Sequence, residues 1–223
     1  MNLVQIIKHN KHYCAFFVLF SEKNINIMML NFKKILSFCF FVTIIFLNTS
    51  CSYLNSNNIS LIKVIKVIDG DTIKVLNKDN NLEIIRLYGI DAPETLKERY
   101  NEDSLAPKEN FYAQISKKYL LNKIKEANFK LYVKKITYDK YRRSVSILFT
   151  DKSFKESLNI KMIKEGLARV AFIQGENPKK PYYTTTDYQF NFYKKLIENE
   201  RVAKVLNKGF WKYSENLIFF KKL

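Results

Sequence analysis

Short runs rich in Ile, Val and Leu, interrupted by Lys and Asp, begin just after residue 60. Leu61–Asp69, Asp71–Leu76 and Leu82–Tyr88 each carry enough β-branched and apolar residues to predict a strand. Asn77–Asn81 is polar and rich in Asn, so it predicts the turn between the last two. Leu96–Ser104 is polar and predicts a loop, after which Pro107 opens a helix. Phe111, Ile115 and Tyr119 predict one face of that helix, with Leu120 and Ile124 beside it. Phe129–Tyr138 and Arg143–Phe149 predict a fourth and a fifth strand, joined by Asp139-Lys140-Tyr141-Arg142. A second helix is expected over about Lys155–Glu165, stopping at Gly166. Asn177–Thr186 carries both later prolines and predicts a loop. A third helix is expected over about Asp187–Asn207, with Tyr188, Phe192, Leu196, Ala203 and Leu206 at helical spacing. Five strands with one helix inserted after the third predict an α+β fold dominated by a small closed β barrel, with about three helices packed outside it.

The pattern before residue 60 is different. Residues 1–27 have no clear periodicity. Lys33 and Lys34 then precede the apolar run Ile35–Leu47, followed by Asn48-Thr49-Ser50-Cys51. A basic start, an apolar stretch and small residues at its end predict an export signal running from Met28 or Met29 to Ser50. The run is short for a membrane span. Its end at a cysteine resembles the lipobox of bacterial lipoproteins, which implies that Cys51 is lipidated and becomes the mature N-terminus. A start at Met28 or Met29 would leave residues 1–27 untranslated. The expected organisation is a targeting region at 1–51, a polar tether at 52–60, a folded domain at 61–213 and a tail at 214–223.

Charge narrows the choice of partner. Lys and Arg outnumber Asp and Glu by 38 to 21, a net charge of +17, which favours an anionic partner such as nucleic acid or a membrane surface. Both histidines, His9 and His12, and all three cysteines, Cys14, Cys39 and Cys51, lie within the first 51 residues. The domain therefore has no Ser-His-Asp triad, Cys nucleophile, His base, Cys/His zinc site or disulfide. Its chemistry rests on carboxylates, Arg, Lys, Tyr and an oxygen-bound metal.

Those groups cluster. Asp69-Gly70-Asp71-Thr72 is followed by Arg86, set in the apolar run Ile84-Ile85-Arg86-Leu87, and then by Asp91-Ala92-Pro93-Glu94. A charge inside an apolar run is costly unless paired, so Arg86 needs a partner. Carboxylates and carbonyls suit a hard cation such as Ca²⁺, and an arginine fork suits phosphate. Together they suggest phosphodiester chemistry. Taken singly, each has a plainer reading: a turn with solvated aspartates, a solvated Glu94, or a basic hairpin tip at Lys140-Tyr141-Arg142-Arg143.

These segments, together with Asp139-Lys140-Tyr141, Gly166-Leu167-Ala168-Arg169-Val170-Ala171-Phe172 and Trp211, resemble the staphylococcal nuclease family over about Val64–Trp211. The resemblance implies an OB-fold barrel and Ca²⁺-dependent hydrolysis of DNA and RNA, with unpaired strands preferred and a monomeric enzyme. On matched positions it implies that Asp71, Asp91 and the Ala92 carbonyl hold Ca²⁺, with Asp69 just outside that ligand set. Glu94 would be the general base, and Arg86 and Arg143 would clamp the scissile phosphate. Lys140 and Tyr141 would contact a terminal phosphate. Phe172, where well-studied members carry tyrosine, would keep stacking but lose a hydroxyl. Gln174 replaces a second tyrosine, Arg142 replaces a glycine, and Gly175–Asp187 is longer than usual. Two other readings stand beside it: a silent nucleic-acid-binding module, and a surface lipoprotein that binds another ligand. Neither needs a general base at Glu94.

Overall fold

The computed structural model describes residues 59–96 and 105–219. Strands β1 (Ile59–Asp69), β2 (Thr72–Leu76), β3 (Leu82–Leu87), β5 (Lys130–Tyr138) and β6 (Ser144–Phe149) close a barrel in the order β1-β2-β3-β6-β5. The expected five-stranded barrel is therefore present. All neighbours are antiparallel except β3 and β6, which run parallel. That pair needs a long crossover, and helix α1 (Glu109–Glu126) lies within it.

Closure depends on β1. Residues 59–63 pair with β5 and residues 63–69 with β2, so one strand serves both neighbours. Two register shifts on the β2 side, between Val64 and Lys66 and between Val67 and Asp69, let it bend between them. Ile73, Val75, Ile85, Leu87, Leu131, Ile147 and Leu148 fill the interior with almost no exposure. Helix α2 (Leu158–Lys164) begins three residues later than its sequence pattern suggested. Ser157 caps it by accepting from the Ile160 N–H, and Phe154 just before takes φ 51°. Helix α3 (Asp187–Val205) packs beside α2, burying Phe192, Leu196 and Ala203, while Leu206 is exposed. Among the described residues no helix is long and apolar enough to cross a membrane.

Helix α1 corrects an expectation. Phe111 and Ile115 face solvent; the buried face is Tyr112, Ala113, Ser116, Leu120 and Ile124. The helix is turned by about one residue because it meets backbone at Gly70. A Cβ on Gly70 would lie 2.7 Å from Ser116 Cβ and 2.8 Å from Ala92 Cβ. Only small side chains fit there, so bulky apolar spacing could not mark the face. The Ser116 hydroxyl donates to the Leu167 carbonyl at 2.7 Å. This close approach brings the β1–β2 turn against Ala92, and with it Asp71 against the segment that carries Asp91 and Glu94.

Two short pieces escaped the sequence pattern. β4 (Ile90–Asp91) pairs with β7 (Arg169–Val170) outside the barrel, placing Asp91 opposite Arg169. Residues 214–219 pack on the domain: Lys108 N–H donates to the Leu217 carbonyl at 2.8 Å, and Ile218 and Phe219 are buried with Tyr112 and Phe210.

Candidate active site

Asp71 ends the turn from β1 and is buried. Its Oδ1 accepts from Thr72 Oγ1 at 2.7 Å and from Arg86 Nη1 at 3.0 Å, and its Oδ2 accepts from Ala92 N–H at 3.0 Å. Arg86 enters from β3, and its second terminal nitrogen donates to Asp91 Oδ1 at 2.9 Å. The arginine thus ties two carboxylates together, which answers the need for a partner that its apolar run created. Asp69 turns away and accepts from the Thr95 hydroxyl. On a regular strand Asp69 and Asp71 would share a face; here the turn at Gly70 separates them.

Arg169 is the residue that sequence reasoning passed over. Its Nε and Nη2 donate to Asp91 Oδ2 at 3.2 and 3.0 Å, and its Nη1 donates to Glu215 at 2.6 Å. Its guanidinium also stacks 3.8 Å from the centre of the Phe219 ring. The signal that singled out Arg86 was available here too, since Arg169 lies between Ala168 and Val170. Asn159 was also missed: from α2 it donates to the Tyr88 carbonyl at 2.9 Å and accepts from Leu148 N–H at 3.1 Å, fastening the end of β3 to β6.

The charges are not balanced evenly. Burial pushes the Asp91 carboxyl up and the Asp71 charge adds to that, so it stays above the usual carboxylate range despite Arg86 and Arg169. Burial would lower Arg86, but the Asp71 and Asp91 carboxylates outweigh it and hold the guanidinium above its ordinary value.

Arg143 comes from the tip of the β5–β6 hairpin. Asp139 organises that tip: it accepts from the Tyr141 and Arg143 N–H groups at 2.9 Å each, and from Arg143 Nε at 2.6 Å. Burial raises Asp139, but these donors outweigh it and hold the carboxyl below its usual range. Arg142 takes the left-handed position that follows a tight turn, at φ 62°, with its N–H on the Asp139 carbonyl at 3.0 Å. The turn forms without the glycine expected at that place, at a cost of about 1 kcal/mol.

Arg86, Asp91, Glu94, Lys140, Tyr141, Arg143 and Phe172 all line one groove of about 1220 Å³. Arg86 lies 5.3 Å from the centre of the Phe172 ring. Asp71 and Ala92 sit behind Arg86 and Asp91, and Asp69 stands apart. Cys51 lies outside the described residues.

The donor chemistry fits a hard cation. Among the described residues no group of three or more His, Cys, Asp and Glu side chains converges as a metal site. Two carboxylates do converge, on Arg86. Each accepts three hydrogen bonds, leaving about one of its roughly four acceptor positions. Two carboxylate oxygens supplemented by a carbonyl and water suit Ca²⁺ rather than a nitrogen- or sulfur-seeking metal.

Comparison with known proteins bears on the same residues. A sequence profile described as "Staphylococcal nuclease homologue" matches residues 84–213, which contain every groove-lining residue named above. The chain is 30% identical to the thermonuclease of Staphylococcus hyicus over 158 residues, 71% of this chain and 79% of that one. It is 36% identical to the thermonuclease of Staphylococcus intermedius over 107 residues, 48% and 57% of the two chains. It is 32% identical to an uncharacterized endonuclease of Haemophilus influenzae over 106 residues, 48% and 49% of the two. Asp71 lies ahead of the matched profile but is bound to it through Arg86 and Ala92. Barrel, groove and sequence agree, and the chain belongs to the staphylococcal nuclease homologue family.

Proposed function

We propose that this protein is an exported, Ca²⁺-dependent endonuclease that hydrolyses DNA or RNA with little sequence specificity. The observation that carries this reading is the groove that gathers Arg86, Arg143 and Glu94 around one space. The two guanidiniums hold the phosphate and offset charge that develops on its oxygens, an effect worth most in a partly water-excluded site. Arg143 is fixed through Nε to Asp139, and among the described residues its two terminal nitrogens have no other protein acceptor, so the fork is aimed by one edge and binds by the other. Glu94 takes a proton from the attacking water as the water oxygen bonds to phosphorus and the bond to the leaving sugar oxygen breaks, that oxygen taking up a proton from solvent to leave as an alcohol. Asp71, Asp91 and the Ala92 carbonyl would hold the Ca²⁺, with Asp69 bracing the turn behind them; when bound, the ion supplies positive charge beside the phosphate. Phe172 offers a ring to a base, and Lys140 and Tyr141 offer contacts to a further phosphate. From Cys51 onward 33 Lys and Arg stand against 20 Asp and Glu, a net charge of +13 that draws the polyanion in. One chain supplies every group named, so a monomer suffices.

Single-stranded DNA incubated with the purified protein tests this reading. Cleavage should require Ca²⁺, stop on chelation and return when Ca²⁺ is restored. Cleavage indifferent to chelator would remove the metal from the proposal, and no cleavage under any condition would leave the binding-module reading in its place.

Export on a lipid anchor is part of the same proposal, motivated by Lys33-Lys34, the apolar run and Ser50-Cys51. The intact mass of the protein recovered from membranes should match a chain starting at an acylated Cys51. An unmodified Cys51 overturns the anchor.

A further inference from the structure

We propose that Tyr182 is a stacking site for an unpaired nucleobase, presented into the groove by the segment between Gln174 and α3; this rests on the nuclease reading above.

The segment is long and carries Pro178 and Pro181, yet it is held at many points. The Gln174 side-chain amide donates to the Asn177 carbonyl at 2.8 Å and accepts from the Glu176 and Asn177 N–H groups at 3.0 and 2.9 Å. Its backbone N–H donates to the Tyr182 carbonyl at 2.9 Å, and its carbonyl accepts from Thr184 N–H at 2.9 Å. The Tyr193 hydroxyl holds Glu176 at 2.9 Å. Gly175 runs so close to α3 that a Cβ there would lie 2.6 Å from the Phe190 ring. Gln174, which stands where the family resemblance implies a tyrosine, is thus the anchor of this loop.

The anchored loop sets out a ring of its own. Tyr182 is 60% exposed, Tyr183 is 37% exposed, and both line the groove that holds Arg86, Glu94 and Arg143. Phe172 already has the Arg86 guanidinium over its ring, so Tyr182 is the more open aromatic surface there. The rings of Phe172 and Tyr182 lie 5.3 Å apart at 77° to each other. Both residues take left-handed backbone, φ 57° and φ 65°, a conformation that disfavours bulky side chains.

The 77° angle bears on which strands fit. A base lying flat on Tyr182 stands nearly perpendicular to one lying flat on Phe172. Stacked neighbours in a duplex are close to parallel, so only an unpaired, splayed strand satisfies both rings. Stacking on an aromatic ring tolerates any base, which agrees with a nuclease that reads no sequence.

The test uses Tyr182→Ala and Tyr182→Phe in the whole protein, with thermal melts to check folding. For single-stranded DNA, Tyr182→Ala should raise KM about tenfold with kcat held, and Tyr182→Phe should keep the parent KM. Cleavage of duplex DNA should change by less than twofold. An unchanged KM, an equal loss on duplex, or a Phe variant that behaves like Ala overturns the site. If the parent binds but does not cut, fluorescence anisotropy with single-stranded DNA decides separately. A tenfold weaker Kd for Tyr182→Ala supports the stacking site even as the nuclease reading fails, and an unchanged Kd, or no binding by the parent, overturns it.

Discussion

Replacing Glu94 with glutamine is expected to lower turnover by about two to four orders of magnitude, the usual contribution of a positioned general base. Glutamine preserves the size and hydrogen-bonding reach of the side chain but cannot accept the proton of water. Glu94 is half-buried on the groove wall beside Arg86. Binding through the arginines and aromatic rings survives the change, so KM should stay within about threefold of the parent while kcat falls. Melting should be close to the parent, because the substitution keeps the shape and removes one negative charge from a site that already holds Asp71 and Asp91. Steady-state kinetics on single-stranded DNA, paired with a thermal melt, reads both quantities. A folded Glu94→Gln variant that cuts at the parent rate sinks the assignment.

Arg86→Ala should fail in two ways at once. Loss of a guanidinium that stabilises transition-state charge should cost about two to three orders of magnitude in turnover. The same side chain is the tie between Asp71 and Asp91, with hydrogen bonds of 3.0 and 2.9 Å to the two carboxylates. Its removal leaves two neighbouring negative charges in a largely buried place, and breaking such a pair typically destabilises by about 3–5 kcal/mol. Denaturant unfolding of the variant measures this directly. Added Ca²⁺ should recover part of the loss, since a cation that binds only the folded state stabilises it in proportion to its occupancy. Unfolding at the parent midpoint would mean that Arg169 alone compensates Asp91 and that Arg86 is dispensable to the fold.

The barrel was legible because its strands are dense in β-branched residues and are separated by Asn-, Asp- and Pro-bearing turns. The site was legible in part because Arg86 is an isolated charge in an apolar run, and because Asp71, Asp91 and Glu94 stand at strand ends. What stayed hidden depended on contacts between distant segments. The face of α1 is set by backbone at Gly70, which leaves room only for Ser116 and offers no bulky residue to count. The β4–β7 pair is two residues on each side, too short for any periodicity. The partnership of Arg169 with Asp91 arises from that pair, and Glu215 completes it from a stretch that read as a tail. Gln174 and Tyr182 looked like a lost aromatic and an ordinary loop residue. Only the folded chain relates one to the other.

The docking of residues 214–219 has a consequence for the order in which this enzyme is born. Asp71, Arg86 and Asp91 leave a ribosome well before the Glu215 carboxylate and the Phe219 ring that hold Arg169. Until then Arg169 lacks two of its neighbours, and Asp91 is braced by a guanidinium not yet fixed in place. Ile218 and Phe219 also close the cluster around Phe210 and around Tyr112, which lies on the helix that presses against Gly70. A chain that has not yet reached residue 219 therefore holds Arg169, and through it Asp91, with fewer contacts than the finished domain. Full bracing comes only once the chain has run through residue 219, so the site is completed by the last segment to dock rather than by the barrel that carries most of its residues.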